Sequence, residues 1–414
     1  MKKIITILLL FVAVTAFSQR TCATNDKLET LKANDPSFGI HHQEVMDYIR
    51  NPNTSLAQRA PNTVVTIPVV VHVLYKNTTQ NISDAQIQSQ LTILNNDFRK
   101  LNADFSTVVP SAFQGLGADA EISFCMATRT PAGLATTGIV RKSVPAFSFV
   151  FEDSYYLAAG DPAWDPTKYL NIWVGRFTDT SLLGFAYLPS SAGQAYDGLC
   201  IGDQYFGNVG TATAPFNLGR TATHEIGHYF GLDHPWGEGD TATACGVGIN
   251  SDGVADTPAT SGPYFNCPSF PSNTYACTST TNGSMFMNYM DYVNDSCMAF
   301  FTAGQKAIFQ STLSGPRASL LTSNGCSSLG LNDIEAIRAI AVYPNPVSQY
   351  FMITSPHTNI DLVEVYNSTG QLVKTQKLEQ INNSIYIEDL VSGVYFLKIY
   401  NEGKFLKSDK IVRK

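Results

Sequence analysis

His224-Glu225-Ile226-Gly227-His228-Tyr229-Phe230-Gly231-Leu232-Asp233-His234 is the stretch from which the rest of the chain can be read. His224 and His228 are four residues apart, so on a helix they share one face and their imidazoles can close on one cation. Glu225 lies one step off that face, within reach of water at such a cation, where a carboxylate serves as general base. Gly231 accepts the left-handed backbone that ends a helix, bringing His234 round as a third ligand. Three neutral imidazoles suit zinc and leave its fourth position open, as catalytic sites do and structural sites do not. The His-Glu-x-x-His core recurs by chance, whereas the eleven-residue form is far more specific. That specificity outweighs the competing reading of a buried helix with accidental histidines.

The chain has 414 residues, a net charge of −7, 44% hydrophobic and only 15% charged residues. Such a composition can bury a sizeable core in two or three domains and does not describe a disordered chain. It carries no basic stripe, which argues against nucleic acid as a partner. Lys2 and Lys3 precede an apolar run from Ile4 to Val14, followed by Ala16-Phe17-Ser18. This is the pattern of a secretory signal peptide over 1–18, and the run is too short to span a bilayer. No other stretch reads as an integral membrane segment. Gln19-Arg20-Thr21 before Cys22 lacks the small apolar residues of a lipid-attachment site.

Eight cysteines in an exported chain predict disulfides. Cys245, Cys267, Cys277 and Cys297 crowd a segment rich in Gly, Ser, Thr, Asn and Pro, directly after the histidine motif. Two bridges there would stiffen a long loop that has little apolar packing of its own. Spacing alone does not choose the pairing.

Residues 19–59 are polar without strong periodicity and end at Gln58-Arg59-Ala60, which reads as a propeptide with a basic cleavage point. A strand is expected over Thr63–Tyr75, then a capping box in which Ser83 caps and Gln86 reaches back. Ile87, Leu91, Leu94 and Phe98 repeat at helical spacing behind it. Shorter strands are expected at Glu121–Ala127, Leu170–Val174 and Gly198–Ile201, the motif helix at Arg220–Leu232 and a last helix at Thr302–Leu313. A sheet, a backing helix and an active-site helix give an α+β or mixed α/β catalytic domain over 60–328, of which α+β is the expectation taken. A linker over 329–341 leads to 342–414, where strands are expected at Tyr350–Thr354, Leu362–Tyr366, Ile385–Ile387, Val394–Tyr400 and Lys404–Val412, forming a small β-sandwich.

After the histidine motif comes Asn288-Tyr289-Met290-Asp291-Tyr292. With this pair of motifs the chain resembles the pappalysin family of metzincin zinc proteases. The resemblance runs over most of residues 60–310. It includes Ile67-Pro68-Val69-Val70-Val71-His72-Val73, Asp161-Pro162-Ala163-Trp164, Tyr169-Leu170-Asn171-Ile172-Trp173-Val174, Gly219-Arg220-Thr221 and Pro235-Trp236-Gly237. It implies a twisted mixed sheet above an irregular lower subdomain, with zinc in the cleft between them. It implies hydrolysis of peptide bonds by water that zinc and Glu225 activate, Met290 as an apolar floor and Tyr292 as the group that steadies the oxyanion. It also implies the pairings Cys245–Cys277 and Cys267–Cys297, while Cys125, Cys200 and Cys326 remain without an assigned bridge. His72 reads as a hydrogen-bonded core histidine, since the ligand set is already complete.

Three further expectations concern residues outside these two motifs, the first two of them strengthened by the resemblance. Arg20-Thr21-Cys22 would act as a cysteine switch, the Cys22 thiolate holding the open zinc position until cleavage after Arg59 ends latency. A stray cysteine near the terminus is the alternative. Asp252, Asp256 and Thr257 offer oxygens for a structural calcium ion, although Asp and Gly are also ordinary turn residues. Asp295 is a candidate for the pocket that takes the substrate residue after the scissile bond, where it would favour Lys or Arg; otherwise it is a solvated loop acid.

Val342-Tyr343-Pro344-Asn345-Pro346-Val347, Gly370-Gln371-Leu372-Val373, Leu390-Val391-Ser392-Gly393-Val394-Tyr395 and Lys410-Ile411-Val412-Arg413-Lys414 resemble a type IX secretion sorting domain of immunoglobulin-like build. That resemblance implies secretion machinery as a partner and export through the periplasm of a Gram-negative bacterium. An adhesive β-sandwich is the plainer reading of the same strands. For the whole chain the expectation is a secreted zinc endopeptidase made as a latent zymogen. A non-catalytic surface protein on the same scaffold would have no reason to keep Glu225 and all three histidines. Met290 and Tyr292 count against a zinc hydrolase of non-protein amides.

Overall fold

A computed structural model describes residues 20–51, 64–145, 155–179, 181–237, 244–245, 251–278, 281–327, 339–355, 360–378, 383–401 and 404–414. The expected signal peptide, the expected cleavage point at Arg59 and most of the expected linker lie outside the described residues.

The segment read as aperiodic is structured. It opens with the two-residue strand β1 (Thr21–Cys22), then helices α1 (Thr24–Asn34) and α2 (Pro36–Arg50). Their periodicity is faint because α1 buries only Thr24 and Leu28, and a histidine, His42, stands with Met46 and Ile49 on the buried face of α2. Asp35 sets the start of α2: its carboxylate accepts from Ser37 N at 2.9 Å, and Pro36 takes the first helical position.

Strand β2 (Val65–Tyr75) is the longest of its sheet, and its apolar run, interrupted only by His72, is buried on both faces. Helix α3 (Asp84–Phe98) starts as expected, Ser83 Oγ accepting from Gln86 N at 3.2 Å. The returning half of the box does not form. Gln86 instead donates its side-chain amide to Asp203 O and Phe206 O, at 3.1 and 2.9 Å, tying α3 to a distant loop.

Short helices α4 (Phe105–Val108) and α5 (Ser111–Gln114) lead to β3 (Ile122–Met126), β4 (Ile139–Ser143), β5 (Leu170–Gly175), β6 (Leu182–Ala186) and β7 (Leu199–Gly202). The sheet order is β1-β6-β7-β5-β2-β3, with β4 also on β2. Every pair is parallel except β6 with β7, so the sheet is mixed. Helix α6 (Arg220–Tyr229) carries the histidine motif, and α7 (Ala303–Ser314) begins with a complete Thr302–Gln305 capping box. Residues of α3, α6 and α7 share one core with the inner face of β2, among them Phe98, Ile226, Phe309 and Val71. Between α6 and α7 the described chain forms a single short 3-10 turn and isolated bridges, which is the irregular lower subdomain.

Three disulfides close the unit. Cys245–Cys277 and Cys267–Cys297 follow the pairing that the resemblance implied. The third, Cys125–Cys326, joins β3 to the end of this unit with a Cα–Cα distance of 5.9 Å. Cys200 stays outside the bridges, buried in β7.

Seven strands follow: β8 (Ala341–Tyr343), β9 (Tyr350–Thr354), β10 (Leu362–Tyr366), β11 (Leu372–Lys377), β12 (Ser384–Tyr386), β13 (Gly393–Asn401) and β14 (Lys404–Arg413). They form two antiparallel sheets, β11-β10-β13-β14 and β12-β9-β8, around their own apolar core of Phe351, Val363, Leu397 and neighbours. The overall class is α+β followed by a small β-sandwich, as expected. Among the described residues no helix is long and apolar enough to cross a membrane.

Candidate active site

Helix α6 is buried along its whole length, which its histidines and glutamate alone would not favour. Its first turn is fixed by Arg220. The guanidinium donates to Tyr289 Oη and to Met298 O at 3.2 Å, and pairs with Asp97 and Asp104 at 3.3 and 3.0 Å. Burial raises the Asp97 carboxyl to about 6 against the opposing pull of Arg220.

The helix stops at Tyr229, short of the Leu232 expected from the motif. Leu232 N donates to Gly227 O at 3.0 Å and Gly231 N to His228 O at 2.8 Å, a Schellman ending with Gly231 at φ 95°. The reversal carries His234 back toward the helix. The Nε2 atoms of His224, His228 and His234 then stand 3.1 to 3.3 Å apart. Ligands of a tetrahedral zinc at about 2.0–2.1 Å lie about 3.3 Å from one another, so this triangle fits the ion.

The remaining ring nitrogens are oriented by carbonyls. His224 Nδ1 donates to Tyr289 O at 2.8 Å and His228 Nδ1 to Leu232 O at 2.7 Å, which leaves Nε2 lone pairs facing the metal position. The His234 ring stacks on Trp236 at 4.6 Å between centroids. Burial, reinforced by the neighbouring imidazoles, holds His224 and His234 well below the usual range, and burial alone brings His228 down to about 4. Burial thus favours the neutral imidazole, the ligand form, at all three.

Met290 lies directly under α6. A methyl group at Gly227 would come within 2.4 Å of Met290 Sδ, so the glycine is what lets the sulfur pack against the helix. Asn288 Oδ1 accepts from Met290 N at 3.0 Å and shapes this turn. Asp291, unremarked in the sequence, accepts from Tyr264 N and Tyr292 N at 2.8 and 2.7 Å, and burial raises it to about 8. Tyr292 packs its ring 4.9 Å from His234 and 5.0 Å from Trp236, on the side where Cys22 lies.

Strand β1 adds to the edge of β6, pairing Thr21 with Leu182 and Cys22 with Gly184. Among the described residues one group of His, Cys, Asp or Glu is compact enough for a metal ion. It is Cys22 with His224, His228 and His234, their donor atoms all within 4.8 Å. Cys22 Sγ is also 3.4 Å from Glu225 Oε2, which Thr24 Oγ1 approaches to 3.3 Å. Arg20 pairs with Asp295 at 3.1 Å, and Asp295 also accepts from Leu218 N and Arg220 N. Asp295 is therefore fully buried and not a solvated loop acid. Burial raises its carboxyl, with Arg20 pulling the other way.

The remaining candidates are apart from this centre. Thr257 donates to Asp252 Oδ1 at 2.6 Å, whereas Asp256 turns away, accepting from Thr302 Oγ1 and Gly304 N at the start of α7. His72 is a core histidine, held by Asp161 and Asn171 at 2.6 and 3.0 Å and stacked on Trp173.

The sequence pattern of the family described as Pregnancy-associated plasma protein-A matches residues 157–314, and that of the secretion system C-terminal sorting domain matches 341–414. An extracellular metalloprotease of Pyricularia oryzae is 30% identical over 275 residues, 64% of this chain and 80% of the relative. A second, from Arthroderma benhamiae, is 31% identical over 58% of this chain and 74% of its own length. The solved structure of a Tannerella forsythia promirolysin mutant superposes with a TM-score of 0.65 at 40% identity, covering 73% of this chain and 97% of the other. Mature mirolysin of the same organism, in complex with a cleaved peptide, gives 0.59 at 44% identity over 63% of this chain and 97% of the other.

The chain belongs to the pappalysin family of metalloproteases. It is a secreted zinc metalloendopeptidase, made as a zymogen and carrying a C-terminal sorting domain. As a pappalysin-family protease it uses peptides as substrates, and its histidine centre fits the zinc that the family implies.

Proposed function

We propose that zinc is held by His224, His228 and His234 and that Glu225 moves the protons of peptide hydrolysis. The observation that carries this is the triangle of buried Nε2 atoms, 3.1 to 3.3 Å on a side, with Glu225 facing its open side. A zinc ion held there supplies Lewis-acid polarisation to the scissile carbonyl and to water. Glu225 takes the proton of the attacking water at a carboxylate oxygen and returns it to the leaving amine nitrogen. Tyr292 donates its phenol to the oxyanion, a role supported by its ring beside His234 and Trp236. Met290 floors the site through its contact under Gly227.

The same reading divides the chain into a signal peptide (1–18), a propeptide (19–59), the catalytic domain (60–328), a linker (329–341) and the sorting domain (342–414). Cys22 among the histidines supports a thiolate that fills the fourth zinc position during latency. The buried Arg20–Asp295 pair supports a pocket selecting Lys or Arg after the scissile bond. The sorting-domain match supports delivery by secretion machinery through the periplasm of a Gram-negative cell. A structural calcium ion at Asp252, Asp256 and Thr257 has less behind it, because Asp256 would have to leave its helix cap.

Glu225→Ala protein should keep its fold and zinc content and lose between about 10²- and 10⁴-fold in peptidase activity. Undiminished cleavage by the pure variant would sink the mechanism.

A further inference from the structure

The N-terminal segment packs on the catalytic domain along its length, with α1 lying on β6 between two ends that differ. One is the cleft, where β1 contributes two residues and Arg20 and Cys22 are buried. The other is α2, which has no part in the metal centre. His42, Met46 and Ile49 are its buried face, at helical spacing i, i+4 and i+7. Met46 and Ile49 belong to the same apolar core as β2, α3 and α6.

The receiving groove is shaped for this helix. Ile49 Cδ1 fills the space that a side chain at Gly231 would take, only 2.4 Å from such a Cβ, beside Pro189 and Thr312. Tyr48 similarly covers Gly315, its Cε1 2.2 Å from the Cβ position there. His42 Nδ1 meets Ser190 Oγ at 3.0 Å, and Arg50 pairs with Asp233, the neighbour of His234. The glycine that closes α6 thus also forms the floor of the groove, so the groove is set by the geometry that positions His234.

A two-residue strand and two side chains in the cleft are a small contact on their own. Tied to a helix docked in a hydrophobic groove, they bind at high effective concentration. The link between the two runs through α1 and lies wholly within 23–35, so a cut between 52 and 63 does not break it.

We infer that the groove of Ser190, Gly231 and Thr312 is a docking site for α2 that retains the propeptide after the chain is cut behind it. The excised 20–51 segment then remains as a non-covalent inhibitor, and the cleft opens only when α2 leaves the groove or is itself degraded. The inference rests on the reading of 19–59 as a propeptide whose Cys22 blocks the centre.

The test uses the full chain with a site for a sequence-specific protease placed within 52–63. After complete cutting, the fragment should co-elute with the enzyme on gel filtration and peptidase activity should stay low. A fluorescent synthetic 20–51 peptide should bind and inhibit enzyme freed of its propeptide by exhaustive autolysis. The same peptide with Ile49→Asp, its Cys22 and Arg20 intact, should bind on the order of 100-fold more weakly. Because the enzyme is unaltered in that arm, misfolding cannot mimic the result. Immediate release and activity on cutting, or equal binding by both peptides, overturns the docking site. Tight, Ile49-dependent binding without inhibition upholds the docking site but overturns both the segment's role as inhibitor and the cysteine-switch reading beneath it.

Discussion

Arg20 and Asp295 form an ion pair of 3.1 Å in which the two side chains are 1% and 0% exposed, joining the N-terminal segment to the loop behind the Met290 turn. A buried pair of this kind is costly to break from one side, because the remaining charge stays desolvated. Asp295 is further held by two backbone amides at the start of α6, so its position is set by the same helix that carries the histidine motif. In the mature enzyme a basic substrate side chain would replace Arg20. Asp295→Asn should lower kcat/KM for peptides with Lys or Arg after the scissile bond on the order of 100-fold, with far less effect on neutral residues there. Cleavage profiling with a peptide library checks this, and an unchanged preference for basic residues would remove Asp295 from the pocket.

Cys22 lies with the three histidine nitrogens inside 4.8 Å, and Thr24 approaches both its sulfur and Glu225. Cys22→Ala in the uncut chain should therefore show early activity and faster self-cleavage, followed as loss of the full-length band against time. Latency equal to that of the parent would mean that the segment blocks by bulk alone.

Gly227 faces Met290 Sδ, and an added Cβ would sit 2.4 Å from it. Met290 is fully buried, so its side chain must repack to make room. Gly227→Ala should cost about 1–3 kcal/mol by overpacking and shift His224 and His228, which flank it. Thermal unfolding together with zinc content per chain reads both effects. A variant with the parent's stability and full zinc would show that the Met290 turn yields freely.

His42 gives the docking of α2 a pH dependence. Burial, then the charges of Lys32 and Arg50, lower its pKa from 6.5 to about 4, with Glu29 opposing and His41 adding to the shift. The folded state thus binds fewer protons than the released segment, and docking is favoured where His42 is neutral in both. Above about pH 6.5 the affinity should be level, and it should fall as pH drops from 6.5 toward about 4. His42→Gln should flatten that slope, measured by peptide binding across the range.

The metal centre was legible because its signal is local. His224 to His234 span a helix and one turn, and periodicity with one glycine fixes how they meet. The strands β2, β5 and β7 were legible as apolar runs, since burial on both faces leaves no alternation to confuse. Strands β4 and β6 were not: β4 carries Arg141 and Lys142, and β6 has a glycine at its centre. Helices α1 and α2 were missed because their buried faces include Thr24 and His42, which read as polar. The Gln86 half of the capping box went elsewhere because Asp203 O and Phe206 O came within its reach.

By itself the sequence pointed to the chemistry: short-range spacing carried three imidazoles, Glu225 as the proposed general base and the turn that unites them, and a resemblance carried the sorting domain behind. Tertiary structure decided the rest. Only the folded chain brings Arg20 to Asp295, Cys22 to His224, Cys125 to Cys326 and α2 to Gly231. Those contacts join residues far apart in the chain. Their energy comes from desolvated pairs and shared apolar surface, and neither exists until the sheet and its helices have packed.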